Sequence, residues 1–396
     1  ETLCPNDFSM ADMCLDARRE MVDLNRMPPS AHWFALEEMR SAKDAQAALI
    51  RHAPGASASD AIFFPGCQLA GIRPEQTLRL YDRLLEIEPR TGIWLDCCAA
   101  PAHWAGRQDE FKELLRAMET AWEGVGRPRV LTACSTCLKM FREHLPAFGA
   151  VSVWTLLAEN GVQAASPRPP LALSDPCTAR HDTQTREAVR SLLAGLGQPL
   201  ADLPMSGELT ECCGFGGLMD NANPALARKV AQARVAQSTA DFLTYCAMCR
   251  EQLARTGKAA LHILDLLFPD AGHPATEAPA GISARRVNRR RLRNEVLARH
   301  GLDQAPREAW EDVRIAVSDS AAALLEERRI LEDDVRQVLY LAAKGGRCLR
   351  HGTDGRRIAA AVLGEVTFWV EYRDTAEVFE ILGAWSHRMR ITGGRI

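Results

Sequence analysis

AIFFPGCQL, residues 61–69, is an apolar run closed by a Pro-Gly turn that hands the chain to Cys67. A short unbroken apolar run ended by Pro and Gly is the pattern of a strand buried on both faces and followed by a loop. The pattern returns in LALSDPCTA, residues 171–179, where the turn delivers Cys177, 110 residues after Cys67. Further along, TGIWLDCCAAPAHWAG (91–106) and ELTECCGFGG (208–217) each carry an adjacent pair, Cys97 with Cys98 and Cys212 with Cys213. RVLTACSTC (129–137) and ADFLTYCAMC (240–249) end in a C-x-x-C, Cys134 with Cys137 and Cys246 with Cys249. Each set reads single, adjacent pair, C-x-x-C, with internal gaps of 30 and 36 residues in the first and 35 and 33 in the second. The chain is therefore internally duplicated.

Amphipathic stretches of helical length separate these runs: PEQTLRLYDRLLEIE, DEFKELLRAMETAWEGV, TREAVRSLLAGLG and ALARKVAQARVAQST. Strands alternating with helices imply an α/β fold with parallel sheets, whose ligand-bearing loops lie at the carboxyl ends of the strands. The five cysteines of a set then converge although they span about 70 residues of sequence.

The chain has 396 residues, enough for two or three domains with cores of their own, and 13 cysteines. It shows no secretory signal and no apolar run long enough to span a bilayer, so a reducing, cytoplasmic setting is expected, where clustered cysteines more often hold metal than form bridges. A net charge of −3 gives no global reason to expect nucleic acid. Five sulfurs exceed what one tetrahedral zinc or one ordinary cubane takes. Zinc half-sites or exchanging dithiols, with the adjacent pairs as buried small hydrophobes, are the alternative. They leave the repetition of the whole pattern unexplained, whereas adjacent thiolates can bridge or share irons. Gly214, Gly216 and Gly217 would permit the close backbone approach of such a corner.

On these motifs, residues 61 to about 268 resemble the tandem CCG domain of the cysteine-rich subunit of heterodisulfide reductase, a module also present in iron–sulfur subunits of glycolate, lactate and glycerol-3-phosphate oxidising systems. The resemblance implies two noncubane four-iron four-sulfur clusters facing each other across a disulfide. Cys67, Cys97, Cys98, Cys134 and Cys137 would hold one, and Cys177, Cys212, Cys213, Cys246 and Cys249 the other. The family's adjacent pair is usually followed by Gly; Gly214 obeys, whereas Ala99 departs. Complete ligand sets in both halves favour a disulfide reductase taking one electron from each cluster. The enzymatic alternative is an electron-relay subunit of a hydroxyacid or glycerol-3-phosphate oxidising complex passing electrons to quinone. A metal scaffold binding partners is the nonenzymatic one.

CPNDFSMADMCLDARREMVDLNRMPPS (4–30) resembles the stretch after the last cysteine of a dicluster ferredoxin domain. This implies Cys4 as the final ligand of a cubane whose other ligands lie upstream, with FAD on an upstream domain or partner subunit. An ordinary exposed thiol is the other reading of Cys4. Cys14, beside Met10, Met13 and Met21, reads as buried packing.

The expected organisation is residues 1–58 as the tail of a ferredoxin-like helical domain, 59–165 and 166–270 as the CCG repeats, 271–305 as a linker and basic helix, and 306–396 as a small α+β domain. SARRVNRRRLRNEVLARH (283–300) reads as a charged surface helix, with docking of an acidic partner as its functional alternative. EDVRIAVSDSAAALLEERRILEDDVRQVLYLAAKGG (311–346) reads as two helices, and RRIAAAVLGEVTFWVEYRD (356–374) and EVFEILGAWSHRMRI (377–391) as strands of a curled antiparallel sheet. This end resembles the C-terminal module of flavin-containing, dicluster-binding oxidoreductases; Tyr372, Trp385, His387 and Arg388 read as fold residues there, and Cys348 as a plain thiol.

Near the motifs, His103 or His181 would donate a proton to a departing thiolate, and Arg180 would bind an anionic group of the substrate. Hydrogen bonding to cluster sulfurs or simple exposure is the alternative. Arg107 and Asp182 stand beside them, while Asp96 and Glu211, each just before an adjacent pair, read as loop-shaping. No phosphate-binding glycine fingerprint is present, which puts flavin or nicotinamide outside these residues. Expected partners are a disulfide or thiol substrate, a flavin-containing oxidoreductase and ferredoxin-like modules.

Overall fold

The computed structural model describes residues 3–6, 8–161, 168–304, 306–345, 348–352, 354–375 and 377–388. They form two compact units, one of Glu1–Ala280 with Arg285–Asp303 and one of Gly281–Ala284 with Gln304–Ile396.

In the larger unit the described strands are β1 (Leu49–Arg51), β2 (Ala61–Phe64), β3 (Thr91–Leu95), β4 (Arg129–Thr132), β5 (Val151–Ser152), β6 (Leu171–Leu173), β7 (Leu200–Ala201), β8 (Phe242–Thr244) and β9 (Ala260–His262). One sheet has the order β1-β3-β2-β4-β5 and the other β7-β6-β8-β9. Every described pairing is parallel except that of β1 with β3. Setting β1 aside, the two orders coincide strand for strand, so the duplication written in cysteine is a duplication of topology. In each copy the central strand ends at the single cysteine, one neighbour leads to the adjacent pair and the other to the C-x-x-C. That is the switch point of an open parallel sheet, where a crevice forms outside the carboxyl ends of the strands.

β2 shows why its sequence is apolar at every position. Phe63 stacks on Tyr81 at 6.3 Å on one face, while Phe64 meets Trp94 and Phe141 edge-on at 5.4 and 4.9 Å on the other. A strand covered on both faces has no polar side to alternate with. Burying a phenylalanine stabilises by about 1.5–3 kcal/mol. The core containing Phe63 continues through Leu171, Leu173 and Leu243, so the two sheets share it. Buried Arg73, after the Cys67 helix, meets buried Asp265, after β9, at 3.1 Å and ties the copies together.

The basic stretch forms a helix, Ile282–Arg299, but is no freestanding surface linker. Leu292 and Val296 are fully buried, and arginines on its other faces find carboxylates: Arg286 and Arg289 on Glu38, Arg291 on Glu75, Arg299 on Asp82. The expectation counted charges; the structure distributes them as ion pairs around an apolar stripe.

The smaller unit has helices Asp319–Arg328 and Glu332–Gly345 and a sheet in the order β10-β14-β13-β12-β11, with β10 (Ile315–Val317), β11 (Cys348–Arg350), β12 (Arg357–Leu363), β13 (Val366–Asp374) and β14 (Phe379–His387). β11 to β14 are antiparallel, and a register shift at Glu371/Tyr372 bends β13. β10 joins β14 in parallel, a pairing the sequence did not suggest. Residues 389–391 of the expected last strand lie outside the described residues.

Candidate iron–sulfur site

The thiols of the first set perturb one another in the order Cys67, Cys97, Cys98, Cys137, Cys134, as close neighbours do. Cys67 Sγ lies 3.5 Å from Cys97 Sγ. The second set repeats this order as Cys177, Cys212, Cys213, Cys249, Cys246. Ten sulfurs thus fall into two chains of identical connectivity, with Cys97, Cys98, Cys137, Cys213 and Cys249 buried. No disulfide joins them.

In each chain the first member of the adjacent pair is held low, and in the first set Cys134 is lowered as well, to about 7. The hydrogen bond from Cys67 holds the Cys97 thiol well below its ordinary range, and that from Cys177 does the same for Cys212. Their donors Cys67 and Cys177 are pushed well up by the same bonds and by burial. A ligand thiol must shed its proton, and each site starts with the first member of its adjacent pair favoured as thiolate.

The backbone is shaped to bring these sulfurs together. Gly66 has φ +85°, and a Cβ there would stand 3.1 Å from Cys137 Sγ. After the adjacent pairs both copies turn left-handed, Gly214 at φ +92° and Ala99 at φ 62°. Ala99 therefore adopts the unusual conformation and carries its strain, about 1–2 kcal/mol. Asp96 accepts the Cys97 N–H at 2.7 Å and Lys43 Nζ at 2.7 Å, while Glu211 accepts from Gln237 at 2.5 Å. Both acids hold their loops as the sequence suggested.

Among the described residues, no three Cys, His, Asp or Glu side chains gather as the ligands of one ion would. Five sulfurs in a chain instead suit an assembly that divides its ligands among several irons, and the donor set, all sulfur, fits iron–sulfur chemistry.

The titratable candidates separate. Arg180 lies on a cavity of about 360 Å³ that also reaches Cys212, Met205, Leu209 and Val230. Its Nη2 donates to Thr210 O at 2.5 Å, and its Nε is buried without a partner among the described residues. His181 is exposed, with Nδ1 3.6 Å from Glu208. His103 packs against Phe111 and His144, ring centres 5.0 and 5.1 Å away, and burial lowers its pKa to about 4. Its ring is neutral near pH 7, which suits packing better than proton donation. Asp182 caps the helix Thr183–Gly195 through Thr185 N at 3.1 Å and receives Arg142 at 3.0 Å.

Cys4 is half-buried, accepting from the backbone N–H groups of Phe8 and Asn6, and its neighbour Leu3 lines the cavity at Cys212. Cys14 is exposed, which corrects the packing role expected for it: its helix, Met10–Asp23, has no fully buried residue and makes contact through Arg18, whose Nη1 donates to Gly217 O at 2.7 Å. In the smaller unit, His387 Nε2 accepts the Trp369 indole at 3.0 Å, Trp385 stacks on Trp369 at 6.4 Å, and Tyr372 packs edge-on to Phe379 at 5.4 Å.

Asp175 escaped notice in the sequence. Fully buried before Pro176, it accepts Arg190 at 2.7 and 3.0 Å, the Tyr245 hydroxyl at 3.0 Å and Gly207 N at 2.9 Å. It joins all three ligand-bearing segments of the second set. Its signal was local: an acid just before the Pro-Cys turn, and Tyr245 just before the C-x-x-C.

The CCG cysteine-rich domain model matches residues 61–142 and residues 171–267, the segments that hold the ten cysteines. The chain carries the CCG domain in two copies. It is 27% identical over 246 residues to a subunit of the dihydromethanophenazine:CoB–CoM heterodisulfide reductase of Methanosarcina mazei, an alignment covering 56% of this chain and 59% of that protein. This tandem CCG protein is thus similar to a component of a heterodisulfide reductase, while spanning less than two thirds of that relative. The likeness supports an iron–sulfur oxidoreductase role. Among the described residues no helix is long and apolar enough to cross a membrane.

Proposed function

We propose that the two cysteine sets of this CCG protein hold two noncubane four-iron four-sulfur clusters and that the chain is the disulfide-reducing portion of a larger electron-transfer enzyme. The observation that carries this reading is that the same sheet order in both copies delivers a single cysteine, an adjacent pair and a C-x-x-C from the ends of three neighbouring strands. Reduction of a disulfide to two thiols takes two electrons and two protons, and the electrons are what a pair of bound clusters would supply. The chain's own residues would bind and protonate. Arg180, which lines the cavity at Cys212, would hold an anionic group of the disulfide, and the apolar wall of Met205, Leu209 and Val230 would hold its carbon chain. His181, exposed and next in sequence to Arg180, would return a proton to the departing thiolate. Electrons would enter from a ferredoxin-like module near Cys4, supplied in turn by a flavin-containing partner.

The test is iron and acid-labile sulfide on anaerobically purified protein, with paramagnetic spectra before and after candidate disulfides. About eight of each per chain and a signal altered by a disulfide is the expected result. About four of each, or a signal indifferent to disulfides, overturns the disulfide reductase in favour of a relay; zinc without sulfide overturns iron–sulfur chemistry altogether.

A further inference from the structure

Helix Ile282–Arg299 lies outside both CCG segments, yet it places a charge inside the first copy. Arg289 is 3% exposed. Its Nη2 meets Glu38 Oε2 at 2.7 Å, while Nε and Nη1 are buried with no hydrogen-bond partner among the described residues. A guanidinium so placed is unusual, because buried donors without acceptors give up their hydrogen bonds to water and receive none in return. Nη1 lies against the short helix Cys67–Ile72: a Cβ on Gly71, one turn beyond Cys67, would be 3.3 Å from it. The Arg289 guanidinium is thereby held beside the helix that Cys67 opens. Arg286 shares Glu38, at 2.8 Å.

We propose that Arg289 is a positioning residue for the first iron–sulfur site, supplying a fixed buried cation, with Glu38 as its counterweight, that raises that site's reduction potential above what its cysteines alone would set. The inference rests on the iron–sulfur reading above. Reduction adds one negative charge to the bound group, and a nearby cation in a low-dielectric interior favours the reduced form. Its two unpartnered donors would then be left for the bound group. The second site, whose cysteines lie on other elements than the helix Cys67–Ile72, is the internal reference.

The test is potentiometric titration, followed by electron paramagnetic resonance, of full-length protein with Cys246 and Cys249 changed to Ser so that the first site reports alone, repeated with both sets intact. Arg289→Gln is expected to lower the first site's midpoint by an equilibrium shift of about tenfold, equivalent to 59 mV for one electron. Arg289→Lys, which keeps the charge, is expected to recover most of it. Glu38→Gln, which removes the counterweight, is expected to shift the midpoint upward. With both sets intact, one redox step should move and the other stay. If Arg289→Gln takes up no iron while Arg289→Lys loads and keeps the parent midpoint, the requirement for charge is upheld. The proposal is overturned if Arg289→Gln loads at an unchanged midpoint, if Glu38→Gln and Arg289→Gln shift in the same direction, or if neither Arg289 variant loads. Absence of iron in the parent protein overturns the iron–sulfur reading itself, and this proposal with it.

Discussion

Gly214→Ala tests the corner behind the second adjacent pair. At φ +92° an alanine enters a region that costs an L residue about 1–2 kcal/mol. Its Cβ would also lie 2.5 Å from Ala227 O, a backbone atom of the helix Pro224–Val235 that no rotamer change can move aside. Forcing such an overlap adds about 1–3 kcal/mol. The sum, about 2–5 kcal/mol, corresponds to a fall in melting temperature of roughly 3–8 °C for a unit of this size. Because bound metal breaks two-state behaviour, the melt belongs on metal-free protein, with iron counted separately after reconstitution. Iron should fall by about half, since the helix or the 212–214 turn must shift. Ala99→Gly is the mirror experiment: relief of strain, about 1–2 kcal/mol, is offset by unfolded-state freedom of about 0.4–1 and a lost methyl worth about 0.8. That variant should stay within about 1 kcal/mol of the parent. A Gly214→Ala protein melting within 2 °C of the parent with full iron, or an Ala99→Gly protein losing more than about 2 kcal/mol, refutes the assigned backbone.

Asp175→Ala removes the acceptor of Arg190, Tyr245 and Gly207 together, so denaturant unfolding should show a loss of about 3–5 kcal/mol, and the second set should lose its iron while the first keeps it. The folded pKa of His103, about 4, lies below the unfolded value near 6.5, so the folded state resists protonation and stability is lost as pH falls from about 6.5 towards 4. His103→Phe should flatten that part of a stability–pH curve, and an NMR titration placing the His103 midpoint above 6 would contradict the burial. His387→Phe leaves the Trp369 indole without its acceptor and should cost the smaller unit about 1 kcal/mol in urea, with iron content unchanged.

The duplicated parallel sheet was legible because it depends on a local pattern repeated in order: AIFFPGC and LALSDPC each announce a strand and the loop after it. The ten cysteines were legible for the same reason. Partnerships made across the fold were not. Nothing near Glu38 in sequence points 251 residues onward to Arg289, and a run of arginines looks equally solvated whether or not carboxylates from distant helices meet it. Cys14 misled because methionines at helical spacing suggest a buried face, whereas its helix is held by one arginine and a close approach at Gly106, leaving Met10 and Met13 exposed. His103 looked available because proximity to Cys98 in sequence does not show that its ring turns towards Phe111.

The two adjacent pairs are reached by different routes. Cys97 follows β3 after a single residue, so its place is fixed by strand pairing, whereas Cys212 follows β7 only after ten residues, on a loop pinned by side chains. Thr210 Oγ1 donates to Asp175 O at 2.8 Å and Arg234 to Pro204 O at 2.9 Å, bonds that single substitutions can make or break. The two copies thus differ in what holds the same feature in place. In the first, strand pairing fixes the adjacent pair, so disturbing it disturbs the sheet. In the second, side-chain bonds fix it, and a single substitution can loosen the pair while every strand keeps its partners.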